Sequence, residues 1–374
     1  MRTTPFLCLV GLLLCGAAQA VTELRPGRGD EVIERLPAIT RVRLAQTATA
    51  MPDPAAAAAQ ARAHIATARQ TGDTRYWGRA QAALAHWWGQ ADAPVALAVL
   101  QATVQQGRHE FQAARSVLQA ALQRDPGHAQ GWLNLAALER LSGQYPRALR
   151  ACEAVARAGQ NFYAQACQLE TQSLQGQTGA ARKGLLALRA QTQDAGQRSW
   201  LDSLLAESEE RAGHDAAALA AYQSSLQEEP DLYTSIALAD LLLRTGKAAD
   251  ALAVLQPLPQ TDAVLLRQAA AMRRLDNPGW KPLRSTLREW NGELARRGDD
   301  LSLHGREQAL VALWLDDDAP AALAIARRNL GLQREPIDWW VALQSARQAK
   351  DSAALQQLQT EMQATGLVDA RSSP

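Results

Sequence analysis

A small residue returns about every 34 positions along this chain, each time within the same local pattern. The positions are Ala80, Ala114, Ala148, Ala181, Ala218 and Ala251, spaced 34, 34, 33, 37 and 33 residues apart. Most of them follow a loop that contains glycine, and a larger apolar side chain comes four residues later. A period in this range indicates stacked helical hairpins, because each hairpin buries its apolar face only against its neighbours. We therefore expect a stack of hairpins and not a single globular core.

The segment Ala129–Gln160 shows the repeating unit most clearly. Its first helix carries an apolar stripe at helical spacing, made of Trp132, Leu135, Ala136 and Leu138. Gly143 is expected to end that helix, because glycine adopts left-handed backbone angles without strain. Pro146 suits the first turn of the second helix, where a missing N–H costs nothing. Ala148 then lies where the two helices cross, which requires a small side chain.

The second helix of the preceding unit, Phe111–Pro126, ends in proline. It resembles the second helix of a tetratricopeptide repeat, which commonly ends in this way. The unit Ser199–Pro230 repeats the order in register, with Leu205, Ala206, Gly213, Ala218, Tyr222, Leu226 and Pro230. The resemblance implies an all-α solenoid, and we count about eight antiparallel hairpins. No run of residues alternates like a half-buried strand.

These patterns divide the chain into five segments. Asp53 and Pro54 provide a helix cap and a first helical residue, so we start the array there. The segments are a signal peptide (1–20), an N-terminal lead-in (21–52), a repeat array (53–258), degenerate hairpins that continue the solenoid (259–366) and a disordered tail (367–374).

Met1–Ala20 has the features of a secretory signal peptide. A single basic residue precedes the apolar stretch Phe6–Leu14, and Ala18-Gln19-Ala20 fits the small-x-small cleavage pattern. We expect cleavage after Ala20. Lipidation at Cys15 is the alternative, although the residue before a lipidated cysteine is normally small and here is leucine. The Ala-, Gln- and Arg-rich composition favours a Gram-negative bacterium, so the mature protein is expected in the periplasm or as a secreted protein.

The charge balance of the chain gives no sign of a highly charged partner. Lys and Arg number 39 against 38 Asp and Glu, and removal of residues 1–20 takes away only Arg2, which leaves 38 against 38. A formally neutral chain does not favour binding to nucleic acid or to an anionic membrane surface. No apolar stretch after the leader is long enough to cross a membrane, so we expect no membrane insertion after cleavage.

Two cysteines remain after cleavage, Cys152 and Cys167. They fall in neighbouring helices, each about two turns from the connecting turn near Gly159, so they face each other. In an oxidising compartment such a pair favours a disulfide. The alternative is two small buried hydrophobic side chains in a helix interface.

The sequence contains no recognisable catalytic pattern. None of the six histidines belongs to a His-Glu-x-x-His motif, and there is no Gly-x-Ser-x-Gly elbow or phosphate-binding glycine loop. His304 and Glu307 lie one helical turn apart, with Asp316–Asp318 further along, and could bind a metal. We favour solvated polar residues on a helix surface as their explanation. We predict no enzyme activity, no cofactor and no metal.

The resemblance directs attention to the concave side of the array, where part of each first helix is exposed. These positions carry Asn134, Arg140, Gln168, Gln172, Glu207, Glu210, Tyr233 and Asp240. This polar mixture of both charges suits hydrogen bonding to a peptide backbone, and ordinary solvated surface is the alternative. Asn134 matches one position of the carboxylate clamp of related arrays. The matching Lys or Arg positions hold Val99, Ala164 and Cys167, which argues against such a clamp.

Tryptophan is unusually frequent, with ten Trp against three Phe. Trp87-Trp88 and Trp339-Trp340 are adjacent pairs, and neighbours on a helix point about 100° apart. One tryptophan of each pair must therefore leave the main apolar stripe. It covers a neighbouring helix or binds an apolar group of a partner.

Three short segments, Gly72–Trp77, Arg306–Ala309 and Gln333–Pro336, resemble exported bacterial tetratricopeptide repeat proteins without an assigned activity. Together these observations predict a non-enzymatic periplasmic scaffold that binds a protein or peptide partner in envelope assembly or transport. One alternative is a self-associating structural component of the envelope. Another is a small-ligand receptor or an enzyme that uses the concave groove.

Overall fold

A computed structural model describes residues 53–298 and 300–372 of the chain. Within these ranges the backbone forms 18 α-helices and no strand. The helices are α1 (Pro54–Thr71), α2 (Arg75–Ala83), α3 (Val95–Gly107), α4 (Phe111–Arg124), α5 (Ala129–Leu141), α6 (Tyr145–Arg157), α7 (Asn161–Leu174), α8 (Thr178–Arg189), α9 (Ala195–Arg211), α10 (Asp215–Glu228), α11 (Leu232–Arg244), α12 (Ala248–Leu255), α13 (Asp262–Arg274), α14 (Trp280–Arg297), α15 (Gly305–Trp314), α16 (Ala319–Asn329), α17 (Pro336–Gln348) and α18 (Ser352–Thr365). Two 3₁₀ turns, Leu301–His304 and Ala370–Ser372, complete the described secondary structure.

The two helices of each hairpin pack against each other, so the described residues form nine consecutive hairpins. Most odd-numbered helices also contact the odd-numbered helix of the following hairpin, and these helices form an inner layer. The even-numbered helices make up the outer layer. The all-α solenoid predicted from the period is confirmed, with one hairpin more than the predicted count of about eight.

The repeated alanines lie where the two helices of a hairpin cross. All six are completely buried, at 0% exposure. The side chain four residues later is also buried in every unit; these residues are Leu84, Leu118, Cys152, Leu185, Tyr222 and Leu255. Because only a methyl group separates the helices at the crossing, the larger side chains one turn further fill the space between them. The sequence period is therefore a packing period.

Local signals set the ends of the helices as predicted. The carboxylate of Asp53 accepts hydrogen bonds from the backbone N–H groups of Ala55 (3.0 Å) and Ala56 (3.2 Å), which caps α1. Gly143 has a φ of 70° and ends the first helix of its hairpin. Pro146 occupies the first turn of α6.

The array turns back on itself, and its last hairpin contacts the loops of earlier ones. The backbone N–H of Arg334 donates to the carbonyl of Leu141 over 2.7 Å, and that of Val368 donates to the carbonyl of Leu174 over 2.9 Å. Leu141 and Leu174 are the last residues of α5 and α7, where carbonyl groups lack partners within the helix. The ninth hairpin and its flanking segments thus satisfy helix ends in the third and fourth hairpins.

Two further contacts join early and late hairpins. The ring Nδ1 of His109, in the loop after α3, lies 2.5 Å from the carbonyl oxygen of Leu303. Gly72, after α1, lies against the side chains of Thr261 and Leu232. Its φ of 66° and the closeness of Thr261 both disfavour any side chain there.

Residues 367–372, part of the segment that we expected to be disordered, lie against the array. Leu367 is 3% exposed and Asp369 is 4% exposed, and residues 370–372 form a 3₁₀ turn. Residues 366–372 instead run across the loops of the fourth and fifth hairpins. The partners of Val368 and Arg371 in these loops, Leu174 and Glu210, lie more than 150 positions away in the sequence, so no local pattern indicates them. Residues 373–374 lie outside the described ranges.

The signal peptide, its cleavage after Ala20 and the lead-in 21–52 also lie outside the described residues. Within 53–298 and 300–372, no helix combines the length and the apolar character that membrane crossing requires.

The predicted pairing of Cys152 with Cys167 is confirmed. Cys152 lies in α6 and Cys167 in α7, with their Cα atoms 5.6 Å apart and a disulfide between them. Both side chains are buried at the interface of the third and fourth hairpins. A disulfide is compatible with an oxidising compartment.

We predict that residues 21–374 show no reactive thiol in denaturant, and two after reduction. Replacing both cysteines with alanine should lower the free energy of unfolding by about 3 kcal/mol, because the bridge closes a loop of about 15 residues. A thiol titration and urea unfolding followed by far-UV circular dichroism measure the two effects. Two free thiols without reductant would contradict the bridge.

A pair of glycines tests the packing of the first two hairpins. A methyl group on Gly107 would overlap the ring of Trp77, whereas one on Gly78 has no neighbour within 4 Å. Gly107→Ala should destabilise the fold by about 1–3 kcal/mol. Gly78→Ala, at an exposed position of α2, should stabilise it by roughly 1 kcal/mol. Urea unfolding of both variants checks the difference, and equal effects would contradict the packing.

Candidate partner-binding surface

The inner layer brings together the eight side chains predicted to bind a partner, but most of them already have partners in the array. Asn134 donates to Thr103 Oγ1 over 2.9 Å, between α5 and α3. Arg140 pairs with Glu170 of α7 at 2.9 Å. Gln168 and Gln172 are half-buried on α7.

Ion pairs link successive inner helices in the second half of the array. Arg244 of α11 reaches Glu210 of α9 at 3.3 Å. Arg267 of α13 forms a two-pronged pair with Asp240 of α11, at 2.7 Å for each bond. Arg267 is only 3% exposed, so this pair is largely shielded from water. Breaking such a pair would leave an unpaired buried charge, which is costly. The pair therefore holds adjacent inner helices at a fixed spacing.

Two tyrosines hold the carboxylates of α9. Burial, and then the carboxylate of Glu210, raise the pKa of Tyr222 well above its ordinary value, so its hydroxyl stays protonated and donates to Glu210 over 3.1 Å. The carboxylate of Glu207 likewise raises the pKa of Tyr233, whose hydroxyl donates to Glu207 over 2.6 Å. Tyr233 is 63% exposed, so water weakens this second interaction.

The inner helices of the last five hairpins enclose a cavity of about 430 Å³, which we call the tryptophan cavity. It is lined by Glu210, Asp240, Leu243, Arg244, Arg274, Trp314, Ile337, Trp340, Gln344, Gln348 and Arg371. The rings of Trp314 and Trp340 meet edge to face, 6.2 Å between centroids. The cavity therefore combines aromatic surface with cationic side chains.

Arg274 differs from the other arginines of this cavity. Its guanidinium carbon lies 5.3 Å from the ring centroid of Trp314, in a cation–π contact. Within the described ranges no carboxylate lies at ion-pair distance from it, whereas Arg244 and Arg371 both pair with Glu210. An acidic group of a partner can therefore pair with Arg274 without breaking an existing ion pair.

A second cavity of about 280 Å³ lies between the first three hairpins and the last two. Its lining includes Arg69, His109, Arg306, Glu307, Gln333 and Glu335. Two of the three segments that resemble exported repeat proteins therefore meet here. Arg306 pairs with Glu335 and, at 2.7 Å, with Asp338.

Asp338 is the buried centre of this second site. Its carboxylate also accepts hydrogen bonds from Asn329 Nδ2 (2.8 Å) and from the backbone N–H of Glu335 (2.9 Å), which caps α17. Burial raises the pKa of Asp338 to about 6, although Arg306 acts in the opposite direction. The group is therefore structural: it joins the eighth hairpin to the ninth.

The acidic residues Asp316–Asp318, considered as part of a metal site, have other partners. Asp316 pairs with Arg284 and Arg288, Asp317 pairs with Arg273, and Asp318 caps α16. The described part of the chain holds no group of three or more His, Cys, Asp or Glu side chains arranged to bind a metal ion.

Comparison with known proteins supports the repeat assignment. A family model described as tetratricopeptide repeat matches residues 105–172, so the chain carries this repeat from the end of α3 into α7. A comparison with curated proteins gives no match.

Several solved structures are similar to this chain at low identity. PilF from Pseudomonas aeruginosa is 18% identical over 55% of this chain and 92% of its own, with a TM-score of 0.37. A Rap protein in complex with competence and sporulation factor is 10% identical over 88% and 93%, with a TM-score of 0.49. A tetratricopeptide repeat protein from Parabacteroides merdae is 13% identical over 82% and 99%, with a TM-score of 0.38. At this level the comparisons carry no functional argument.

The sequence alone did not identify the tryptophan cavity. Its one signal was the adjacent pair Trp339-Trp340, of which Trp339 is buried and Trp340 turns into the cavity. At Trp87-Trp88, likewise, the first ring is buried and the second half-buried. Arg274 carries no sequence signal, because only the fold shows that it lacks a carboxylate partner.

We predict that Arg306→Ala lowers the free energy of unfolding by about 3–5 kcal/mol at about pH 7, because Asp338 loses its cation. The loss should be smaller at about pH 5, since the folded-state pKa of Asp338 is raised and protonation removes the unpaired charge. Urea unfolding at both pH values measures this. Arg327→Ala, on the exposed side of α16, is the control and should cost less than about 1 kcal/mol. A pH-independent loss would contradict the assignment.

Proposed function

We propose that this tetratricopeptide repeat chain is a non-enzymatic scaffold that binds a protein or peptide partner in the periplasm, in envelope assembly or transport. The repeat fold itself suggests a protein-interaction scaffold. The export signal read from residues 1–20 and the Cys152–Cys167 disulfide support the compartment.

The tryptophan cavity is the observation that carries this proposal. Large aromatic side chains and arginine are the residue types that contribute most to protein binding. The cavity offers two tryptophans, the aliphatic side chain of Ile337 and the amides of Gln344 and Gln348. Arg274 adds a cation whose present contact is an aromatic ring.

This chemistry fits a partner segment with an apolar side chain next to an acidic one. The apolar group would cover the rings of Trp314 and Trp340, and the acidic group would pair with Arg274. Residues such as Arg267 and Asp240 are already paired with each other, so they position the inner helices and contribute little free energy to binding.

A photo-crosslinking amino acid at Gln344, on the cavity wall, tests the proposal in periplasmic extract. We expect an adduct that is absent when the same group replaces Arg150, an exposed residue of outer helix α6. With the captured partner purified, Arg274→Glu and Trp340→Ala should each weaken binding at least about tenfold. Arg150→Glu is the matched charge control and should leave the affinity unchanged.

Two outcomes would overturn the proposal. One is repeated crosslinking at Gln344 without any adduct. The other is a partner whose affinity is the same for Arg274→Glu, Trp340→Ala and Arg150→Glu.

A further inference from the structure

Residues 366–372, which we call the tail, lie on the array in the manner of a bound peptide. They cross the loops after α7 and α9, and these helix ends with Gly176 and Gly213 form what we call the tail groove. The tail begins at Gly366, whose φ of 81° ends α18 in the left-handed region. It is thus a separate segment joined to the last helix through a single glycine.

Polar contacts fix the direction and register of the tail. The backbone N–H of Val368 donates to the carbonyl of Leu174 over 2.9 Å. The guanidinium of Arg371 reaches Glu210 at 3.0 Å, and Arg347 donates to the carbonyl of Ser372 over 2.9 Å. A backbone bond, a side-chain ion pair and a capped carbonyl are the kinds of contact by which grooves recognise extended peptides.

The groove also has an apolar position and room for the peptide backbone. Leu367 is 3% exposed and joins the main apolar core, whereas Val368 is 53% exposed. A side chain on Gly176 would lie 3.1 Å from Val368, and one on Gly213 would lie 3.4 Å from Ala370. Both glycines have φ near 80° and leave the space that the tail occupies.

We propose that the tail groove is a peptide-binding site for a segment of a partner with a leucine and, four residues later, an arginine. The tail is its displaceable occupant. This deepens the proposed function, on which it rests, because Arg371 also lines the tryptophan cavity. Departure of the tail would remove Arg371 from Glu210, which keeps its contacts with Arg244 and Tyr222, and would enlarge that cavity for the partner.

The covalent connection explains why the groove is occupied in the free chain. A tethered segment competes at an effective concentration of roughly millimolar, so a free peptide of the same sequence binds poorly until the tail is weakened. A partner gains over the tail by adding contacts to the tryptophan cavity, which the tail touches only through Arg371.

The test uses the full chain and a fluorescent peptide with the sequence of residues 366–374. The tail should be released in a double variant of the chain, Leu367→Asp with Arg371→Glu. The first change removes the apolar anchor, and the second reverses the charge that faces Glu210. Fluorescence anisotropy should show at least tenfold tighter peptide binding to this variant than to the unaltered chain. A peptide carrying Arg371→Ala should bind the variant at least tenfold more weakly than the unaltered peptide.

Adding Arg274→Glu to the released-tail chain separates the two proposals. This substitution should change the affinity for the peptide by less than about twofold, since Arg274 does not contact the tail. The same substitution should abolish capture of the partner in the tryptophan cavity. Peptide binding without partner capture would refute the proposed function alone.

Absence of peptide binding to a released-tail chain with unchanged helical circular dichroism would overturn the inference. If that variant does not fold, hydrogen exchange on the unaltered chain decides. Amides of residues 367–372 should exchange at least a hundredfold faster than those of α7 and α9 if the tail opens locally. Equal protection would refute a displaceable tail.

Discussion

The whole array depends on the close approach of two helices over an alanine methyl group in six of its hairpins. Each of these alanines is fully buried, and the residue four positions later fills the adjoining space. A larger side chain at the crossing would push the helices apart, because protein interiors are packed without spare volume. In these six hairpins, this distance determines how closely each inner helix lies to its outer helix.

Local and periodic features could be predicted because their causes lie within one or two helical turns. Asp53 caps the helix that it precedes, Gly143 ends the helix before it, and the cysteines face each other across one turn. The tail could not be predicted in this way. Its anchor Leu367 and its cation Arg371 meet partners that belong to another turn of the array. A short segment with two apolar residues has the composition of a disordered end until its groove is known.

The sequence indicates which polar side chains belong to the inner helices, but it does not show which of them pair with each other. The polar side chains that we predict to bind a partner lie on the inner helices, and many of them bind each other across neighbouring hairpins. Arg140 with Glu170, Arg244 with Glu210 and Arg267 with Asp240 are separated by about one repeat in the sequence. A repeat protein that places a cation and an acid at suitable inner positions creates such pairs automatically. Polarity of an inner surface therefore indicates helix spacing as much as it indicates a partner.

The difference between paired and unpaired side chains of the inner surface indicates which of them can contribute free energy to binding. A paired, buried arginine offers little to a partner, because any new contact must first replace the existing one. Arg274 and Trp340 have no such cost, since one rests on an aromatic ring and the other is half-buried at the cavity wall. The cost of replacing the contact of Arg371 is intermediate. Arg371 pairs with Glu210, but it belongs to a seven-residue segment and not to an α-helix. The inner surface thus contains pairs between helices that define its shape, and the pair of Glu210 with Arg371 is the one that our proposal exchanges for a partner's arginine.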